Sequence, residues 1–569
     1  MKKYSFKIQS LLVTLLLCTL TACSADDELA DNGGNATLNG TPIEVGAFPA
    51  FTENAATRAV GTFDAGKTAW ANGDEILLKV EVFPGFDDVK NACTGTVAST
   101  ECYKLTYDGT SWAADRDIAL TTGTYEAGIK TTAYYAPCYE WNAASNALVL
   151  KTDKVAGTDE YLTAEKQMPY TSLTKEGKLS IAFNAARTYS RLRVVAVPNM
   201  EVTLSAAAFT PVGTTVVLGE TTIKATADTQ GNAYFYGTWA ENANLKVALA
   251  EDGSYLTDVT KIVATASAVG NSYAIDGLAN LTTYNQIGAG TAESPYRIYN
   301  ATQLMNFDDM FKGESACTEH ILLRNDIDLT GKTWEPICSL GTYGGVFNGG
   351  FHTIKGLEIT STVSYIGFFR KIKSDGILKN LIIKDCNIDA NASYGFGTLV
   401  GYNDGKISNC HVLGGRMNNL GIGDTGGLAG NGNPAAEIIG CSVINTDMRV
   451  SAGGKLGGLV GGNQHITGCM FSGALVIDSS DRGNHNLAIG LFREANCTPT
   501  AIYCKNKDTS TQLLWNGFEQ SAHDCYYVDG TTITWDTAIT NMNTAIETAI
   551  TEYHYVYDAT LDCPKMVKK

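Results

Sequence analysis

The chain has 569 residues, 44% of them hydrophobic and 18% charged, which excludes wholesale disorder and, at about 150 residues per domain, points to three or four domains. A formal charge of −17 with no basic stripe excludes nucleic-acid binding. The 58 glycines against 12 prolines favour many tight turns over proline-rich linkers, and the acidity is uneven: residues 23–289 hold 31 acids and 18 bases, residues 290–530 hold 23 and 18.

Lys2, Lys3 and Lys7 precede the apolar run Leu11–Leu17, too short for a permanent membrane span, so residues 1–22 read as a signal peptide. The run ends in Leu20-Thr21-Ala22-Cys23, similar to a bacterial lipobox with Cys23 as the lipidated residue; the alternative is a plain secretory signal with a chance cysteine. Ser24-Ala25-Asp26-Asp27-Glu28 resembles the acidic tag that sends some Gram-negative lipoproteins to the outer leaflet of the outer membrane. Residues 23–40 then form a polar tether. Fifteen cysteines in an exported chain would normally mean disulfides, but removing Cys18 and Cys23 leaves an odd number, with no C-x-x-C and no zinc spacing. Cys93 and Cys102 are a candidate bridge.

From Ile43 onward, short alternating segments such as Ile76, Leu78, Val80 and Val82, or Leu192, Val194 and Ala196, are punctuated by Gly, Asn and Asp. This predicts antiparallel β-sandwiches, one over residues 41–176 and a second over 177–287. Ala56-Thr57-Arg58-Ala59, then Trp70-Ala71-Asn72-Gly73-Asp74-Glu75-Ile76, resembles the start of the fimbrillin pilins; Leu179–Phe183 and Ser190–Val194 resemble the opening strands of their second domain. Asn184-Ala185-Ala186 departs from the pattern, many relatives having a histidine there. The resemblance implies two transthyretin-like sandwiches, other pilin subunits as partners, and assembly into type V pili by cleavage after an arginine and strand exchange. By position Arg58 is the candidate cut site and Ala59 the new N-terminus; the alternative is an ordinary solvated arginine.

Near residue 288 the texture changes. Leu304, Phe307 and Phe311 have helical spacing. Gly367-Phe368-Phe369, Thr398-Leu399-Val400-Gly401, Gly427-Leu428-Ala429-Gly430, Gly458-Leu459-Val460-Gly461 and Gly490-Leu491-Phe492 then recur about every 30 residues. Short strands trail the first four, ending in Leu381, Cys410, Cys441 and Cys469. The pattern resembles the GLUG repeat of bacterial surface proteins and implies a right-handed parallel β-helix over 288–509. Gly401, Gly430 and Gly461 are then repeat glycines, and Cys410, Cys441 and Cys469 a stacked ladder of buried thiols. Residues 510–569, with a helix over Trp535–Ile550 and a strand over Tyr553–Tyr557, are expected to cap the last coil.

The fold class is therefore all-β: two transthyretin-like β-sandwiches followed by a right-handed parallel β-helix. No catalytic residue, metal site or cofactor is expected. Seven scattered histidines lack H-E-x-x-H, and Gly421–Gly426 matches G-x-G-x-x-G only as a corner of the solenoid. Asp375, Asp404 and Glu437 lie near the turns, in different slots and without facing Arg or Lys, so they read as solvated. Asp326 and Asp328 read as structural, with no complete calcium loop. Most of the tryptophans (Trp70, Trp112, Trp141, Trp334, Trp515) are expected in cores. The functional expectation is adhesion at the outer membrane or cell surface by a fimbrial subunit at a tip or accessory position, because the solenoid would obstruct stalk repetition. Its ligand is a host or bacterial protein or glycan. The alternatives are a surface-retained lipoprotein (pilus anchor or glycan binder) and a β-helix carbohydrate-active enzyme.

Overall fold

A computed structural model describes residues 37–38, 41–53, 66–116, 126–172, 179–183, 187–206, 209–214, 222–263, 265–362, 364–451, 455–462, 464–478, 486–487, 499–506 and 524–569. Strands make up about 52% of the chain and helices 6%. Cys23, Arg58, Ala59, the signal segment and the Gly490 repeat lie outside the described residues.

The first sandwich is built on an antiparallel sheet in the order Leu162–Pro169, Gly128–Tyr135, Glu75–Phe83, Ser99–Tyr107 and Trp112–Ala114. In Glu75–Phe83 every second residue, Ile76, Leu78, Val80 and Val82, is buried, as a sheet with one covered face requires. The covering layer is small: Thr37–Leu38, Thr41–Val45 and Leu179–Ile181. Leu179–Ile181 runs parallel to Thr41–Val45, and Leu179, Ile181 and Phe183 are buried among the residues of the first core. This strand therefore closes the first sandwich rather than opening the second. Its apolar alternation was legible, but its partner is a strand more than 130 residues earlier, which periodicity cannot reveal.

The second sandwich pairs two sheets. One has the order Phe209–Pro211, Asn232–Trp239, Ser190–Val195, Asn271–Asp276 and Thr52–Glu53; the other Thr222–Thr226, Glu201–Ala206, Ala243–Glu251 and Ser254–Val263. Thr52–Glu53 adds in parallel to Asn271–Asp276, so the segment from Thr41 to Glu53 spans both sandwiches.

The C-terminal half is a parallel β-solenoid of about six turns with three strand stacks. The long stack runs from Tyr296–Ile298 through Ile377–Ala390 and Lys406–Asn419 to Cys525–Tyr527. Two short stacks run beside each other; Phe369–Ile372, Val400–Asn403 and Ala429–Gly432 lie in one, and Tyr365–Ile366, Gly395–Gly397, Asp424–Gly426 and Lys455–Gly457 in the other. Because the short stacks touch backbone to backbone, a Cβ at Gly401, Gly430 or Gly461 would collide with the amide nitrogen of Ile366, Phe396 or Thr425. Ile407, Ile438 and Ile466 stack in register in the interior, all fully buried.

Before the cysteine slot each of these coils turns through a left-handed residue: Asn380, Asn409, Gly440, Gly468 and Ala501 have φ between 52° and 63°. The turn interrupts the inter-coil ladder, and sulfur takes the place of the carbonyl. Cys410 N–H donates to Cys441 Sγ (3.4 Å) and Cys441 N–H to Cys469 Sγ (3.3 Å). Where asparagine holds the turn, its side chain forms a second ladder: Asn409 Nδ2 donates to Asn380 Oδ1 (2.8 Å) and Asn380 Nδ2 to Asn348 Oδ1 (3.1 Å).

The expected cap differs from the observed one in two respects. Ile502–Asn506 pairs in parallel with Cys525–Tyr527, so coil stacking continues past residue 509. The helix Trp535–Ile546 and the hairpin Tyr553–Asp558/Cys563–Lys568 then lie along the flank of the long stack, where Met542, Ile546, Ile550, Tyr555 and Met566 cover Ile444, Met470 and Tyr503. A side chain at Gly440 or Gly468 would strike Ile550 or Ile546, which explains why asparagine gives way to glycine in these two coils. The apolar side chains needing cover face outward from the flank, a direction fixed by register and invisible to repeat counting.

The sandwiches and solenoid interlock at their junction. Tyr299 of the first coil packs in the second sandwich core, whereas Tyr284 packs with Phe307 and Phe311 of the helix Ala301–Phe311. Glu251, at the end of a sandwich strand, accepts from Tyr299 Oη (2.7 Å), Arg297 Nη1 (2.9 Å) and Arg324 Nε (2.8 Å). Burial opposes its ionisation, but these donors prevail and hold its carboxyl below the ordinary range.

Cys441→Ala removes the sulfur acceptor from the buried Cys410 amide and leaves a void, so the chain loses about 1–3 kcal/mol of stability. A lowered denaturant midpoint for the solenoid transition checks this.

Candidate functional site

Among the described residues no group of three or more His, Cys, Asp or Glu is placed to hold a metal ion, and no helix is long and apolar enough to cross a membrane. Asp375 and Asp404 occupy equivalent turn positions, since Ile377 pairs with Lys406; this corrects the expectation of different slots. Glu437 lies in register with Lys406. Asp375 pairs with Lys373 (3.1 Å) and Glu437 with Lys406 (3.0 Å), so lysine partners are present after all. The three do not share a slot because Glu437 sits two residues further along its coil. Asp326 accepts from Thr353 N–H (2.8 Å) and Asp328 from Thr330 N–H (2.8 Å), each fastening a turn. Both carboxyls are held below the ordinary range, Asp326 chiefly by His352 and Asp328 chiefly by Thr330.

Cys93 and Cys102 are free. They lie on strands with different partners: Cys93 pairs with Phe86 in a small hairpin and Cys102 with Lys79 in the main sheet, so the candidate bridge does not form. Cys410, Cys441 and Cys469 are fully buried free thiols; burial holds Cys441 and Cys469 well above the ordinary thiol value. Trp112 and Trp334 are fully buried, Trp334 stacking on Phe368 with centroids 4.4 Å apart. His411, missed by sequence reasoning, is buried under the flank cap between Ser442 Oγ (2.8 Å) and Asn409 Oδ1 (3.0 Å). Burial lowers its pKa to about 3, so it is a neutral structural group.

Two constellations remain. The first is the seat of the N-terminal segment. Ile43, Val45, Phe48 and Phe51 are all buried in it. Phe48 meets Trp70 (4.9 Å) and Tyr135 (5.3 Å) edge-on, and Trp70 Nε1 donates to Gly46 O (2.8 Å). The backbone is tied at both ends, Gly46 N–H to Ile181 O (2.8 Å) and Thr52 N–H to Gly270 O (3.0 Å). Beneath Phe51 lies the Arg187 guanidinium, 3.5 Å from its ring centroid. Arg187 pairs with buried Glu160 (2.8 Å), while its Nε and Nη1 are buried without a hydrogen-bond partner among the described residues. Sequence reasoning placed a removable strand here but not this ionic floor, because Glu160, Arg187 and Phe51 meet only through tertiary pairing.

The second is a corner of the solenoid where Tyr365, Tyr394 and Tyr402 come together with Arg370 and Lys371. Tyr394 and Tyr402 lie 29 and 37 positions after Tyr365, roughly one coil on, and a repeat alignment carrying side-chain direction was the sequence signal for them.

Together these features define a class: a two-sandwich, all-β protein with a parallel solenoid at its C-terminal side. No family model matches the chain, and no curated protein matches it. Among solved structures it is similar to a candidate immunoglobulin A1 protease from Bacteroides ovatus (18% identity, TM-score 0.35, covering 50% of this chain and 94% of that one). It is also similar to candidate cell adhesion proteins from Bacteroides fragilis (14%, 0.23, 42% and 91%) and Bacteroides uniformis (15%, 0.23, 36% and 88%). Overlaps this partial say nothing about activity.

Asp308, on the buried side of the helix Ala301–Phe311, has its pKa pushed up to about 7 by burial; its Oδ1 has no hydrogen-bond partner. The unfolded chain ionises Asp308 near pH 4, so between pH 4 and 7 the folded state holds the extra proton and stability falls as pH rises. Asp308→Asn therefore stabilises the protein above pH 7, by on the order of a few kcal/mol, and changes little below pH 4. Melting temperatures of both proteins across this range check it.

The buried thiols give a second outcome. In native protein Cys410, Cys441 and Cys469 do not react with a thiol-specific disulfide reagent, and in denaturant all three do. Mass mapping of the labelled cysteines reads this directly.

Proposed function

We propose that this protein is a surface adhesion subunit of a fimbria, exported as a Cys23 lipoprotein, that assembles by exchanging its N-terminal strand and presents the solenoid outward. The single observation behind this reading is the seat of residues 41–53. Four buried apolar side chains and main-chain pairing at both ends attach a segment that ends five residues before Arg58. Cutting after Arg58 severs that segment from the rest of the chain. Its departure opens the edges of Leu179–Ile181 and Asn271–Asp276 and a row of apolar slots, the surface that an extended strand from another subunit fills by β-addition. Arg187, poorly satisfied beneath Phe51, makes the resident strand a suboptimal occupant of that groove.

The solenoid, interlocked with the second sandwich through Glu251 and Tyr299, is held as a rigid outward extension suited to a tip or accessory position. Its role in this reading is binding rather than catalysis.

N-terminal mass spectrometry of the surface-shed and membrane fractions tests the proposal. The shed chain is expected to begin at Ala59 and to migrate as oligomers, whereas Arg58→Ala yields a monomeric chain that retains acylated Cys23. Shed wild-type protein that begins at Cys23 and assembles no differently from Arg58→Ala would overturn strand exchange and favour a retained lipoprotein.

A further inference from the structure

We propose that the solenoid corner formed by Tyr365, Tyr394 and Tyr402 binds an oligosaccharide bearing an acidic, carboxylate-containing sugar. This deepens the adhesion reading by giving the ligand a chemical class, and it does not depend on strand exchange.

The aromatic surface comes from two successive coils, Tyr365 in one and Tyr394 and Tyr402 in the next. Tyr394 is 59% exposed and stacks on Tyr365 with centroids 5.6 Å apart and planes at 25°, while Tyr402 meets Tyr365 edge-on at 5.5 Å. In the next coil Leu420 and Ile422 are 62% and 66% exposed and extend the same corner. Large apolar side chains gathered in solvent at one place mark a contact surface. Tyrosine offers a flat face for the C–H side of a sugar ring together with a hydroxyl for its polar edge, at little entropic cost.

Two adjacent cations lie at this corner, with Asp404 and Asp424 also within electrostatic reach of Tyr365. In a chain of net charge −17, Arg370 and Lys371 are adjacent cations. Lys371 Nζ lies 4.3 Å from the Tyr365 ring centroid and 5.4 Å from that of Tyr402, and the Arg370 guanidinium lies 5.5 Å from Tyr365. Among the described residues neither has a carboxylate at ion-pair distance, and Arg370 makes one long hydrogen bond, to Gly341 O (3.4 Å). Asp424 is engaged by Lys455 (3.1 Å) and by Asn431 Nδ2 (2.7 Å). Asp404 acts on Lys371 only through space, and one of its oxygens is buried without a partner. Arg370 and Lys371, in direct ion-pair contact with no described carboxylate although Asp404 acts on Lys371 from a distance, can donate to a ligand carboxylate, and ring stacking beside them supplies contact area.

The corner is also preorganised. Buried Asn419 accepts from Ala392 N–H (3.0 Å) and Gly421 N–H (2.9 Å) and donates to Thr425 Oγ1 (3.0 Å), tying the loop that carries Tyr394 to the loop that carries Leu420 and Ile422. Among the described residues the flank cap packs on side chains of the long stack, and Tyr394 remains 59% exposed. A surface already fixed in shape loses little entropy when a ligand binds.

Calorimetric titration of the full chain with sialyllactose and with trigalacturonate, and with lactose as the neutral comparison, tests the assignment. At least one acidic probe is expected to bind in the millimolar range or tighter, with lactose about tenfold weaker or more. Tyr394→Ala is expected to weaken the acidic probe by about tenfold, and Lys371→Gln to bring it down to the level of lactose. Tyr394 is exposed and Lys371 half-buried, so melting temperatures close to the parent confirm that the variants fold. Binding by neither acidic probe, or binding unaffected by Tyr394→Ala, overturns the site; lactose binding equal to the acidic probes overturns its acidic specificity. Fimbrial assembly is scored in the same variants, so a failed glycan site with intact assembly leaves the pilus reading standing.

Discussion

Register between successive coils is the constraint on which the C-terminal half depends. A single coil cannot cover its own apolar side chains or satisfy its own strand amides, so each must stack on the next with every side chain in one direction. The left-handed residue at Asn380, Asn409, Gly440 and Gly468 recurs at the same place in each coil and breaks the ladder there. The thiols of Cys441 and Cys469 repair the break by accepting the displaced amides of the coil before. Cysteine suits the slot because it is small, apolar and still a weak acceptor. The same register aligns the glycines that let the two short stacks approach and brings Tyr365 beside Tyr394.

The sandwiches obey a different rule. Their main sheets are conventional antiparallel layers, but the cover of the first is thin and includes a segment from the chain's beginning that reaches across to the second. That segment contributes apolar side chains to a core that the remaining strands already define. The segment is thus held by pairing at its two ends and by four buried apolar side chains, whereas each inner strand of the solenoid pairs with the coils on both sides.

Between these halves Glu251 joins the second sandwich to the first coils. Its three donors come from the first coils, and Tyr299 adds its ring to the sandwich core. Charge-assisted hydrogen bonds of this kind add geometric specificity as well as energy, so they fix how the first coils sit on the sandwich strand that carries Glu251.

The sequence alone determined the all-β class, the change of texture near residue 288, the repeat glycines and the shared slot of Cys410, Cys441 and Cys469. Each follows from local periodicity, and in a solenoid neighbours in space are neighbours one repeat apart. The helix over Leu304, Phe307 and Phe311 was legible for the same reason. Only tertiary structure decided that Leu179–Ile181 belongs with Thr41–Val45, that the cap lies along a flank, that Arg187 sits beneath Phe51, and that three tyrosines share a corner with Arg370 and Lys371. These depend on which way a side chain points once register is set, and on pairing between residues more than a hundred positions apart. Composition and spacing carry no record of either.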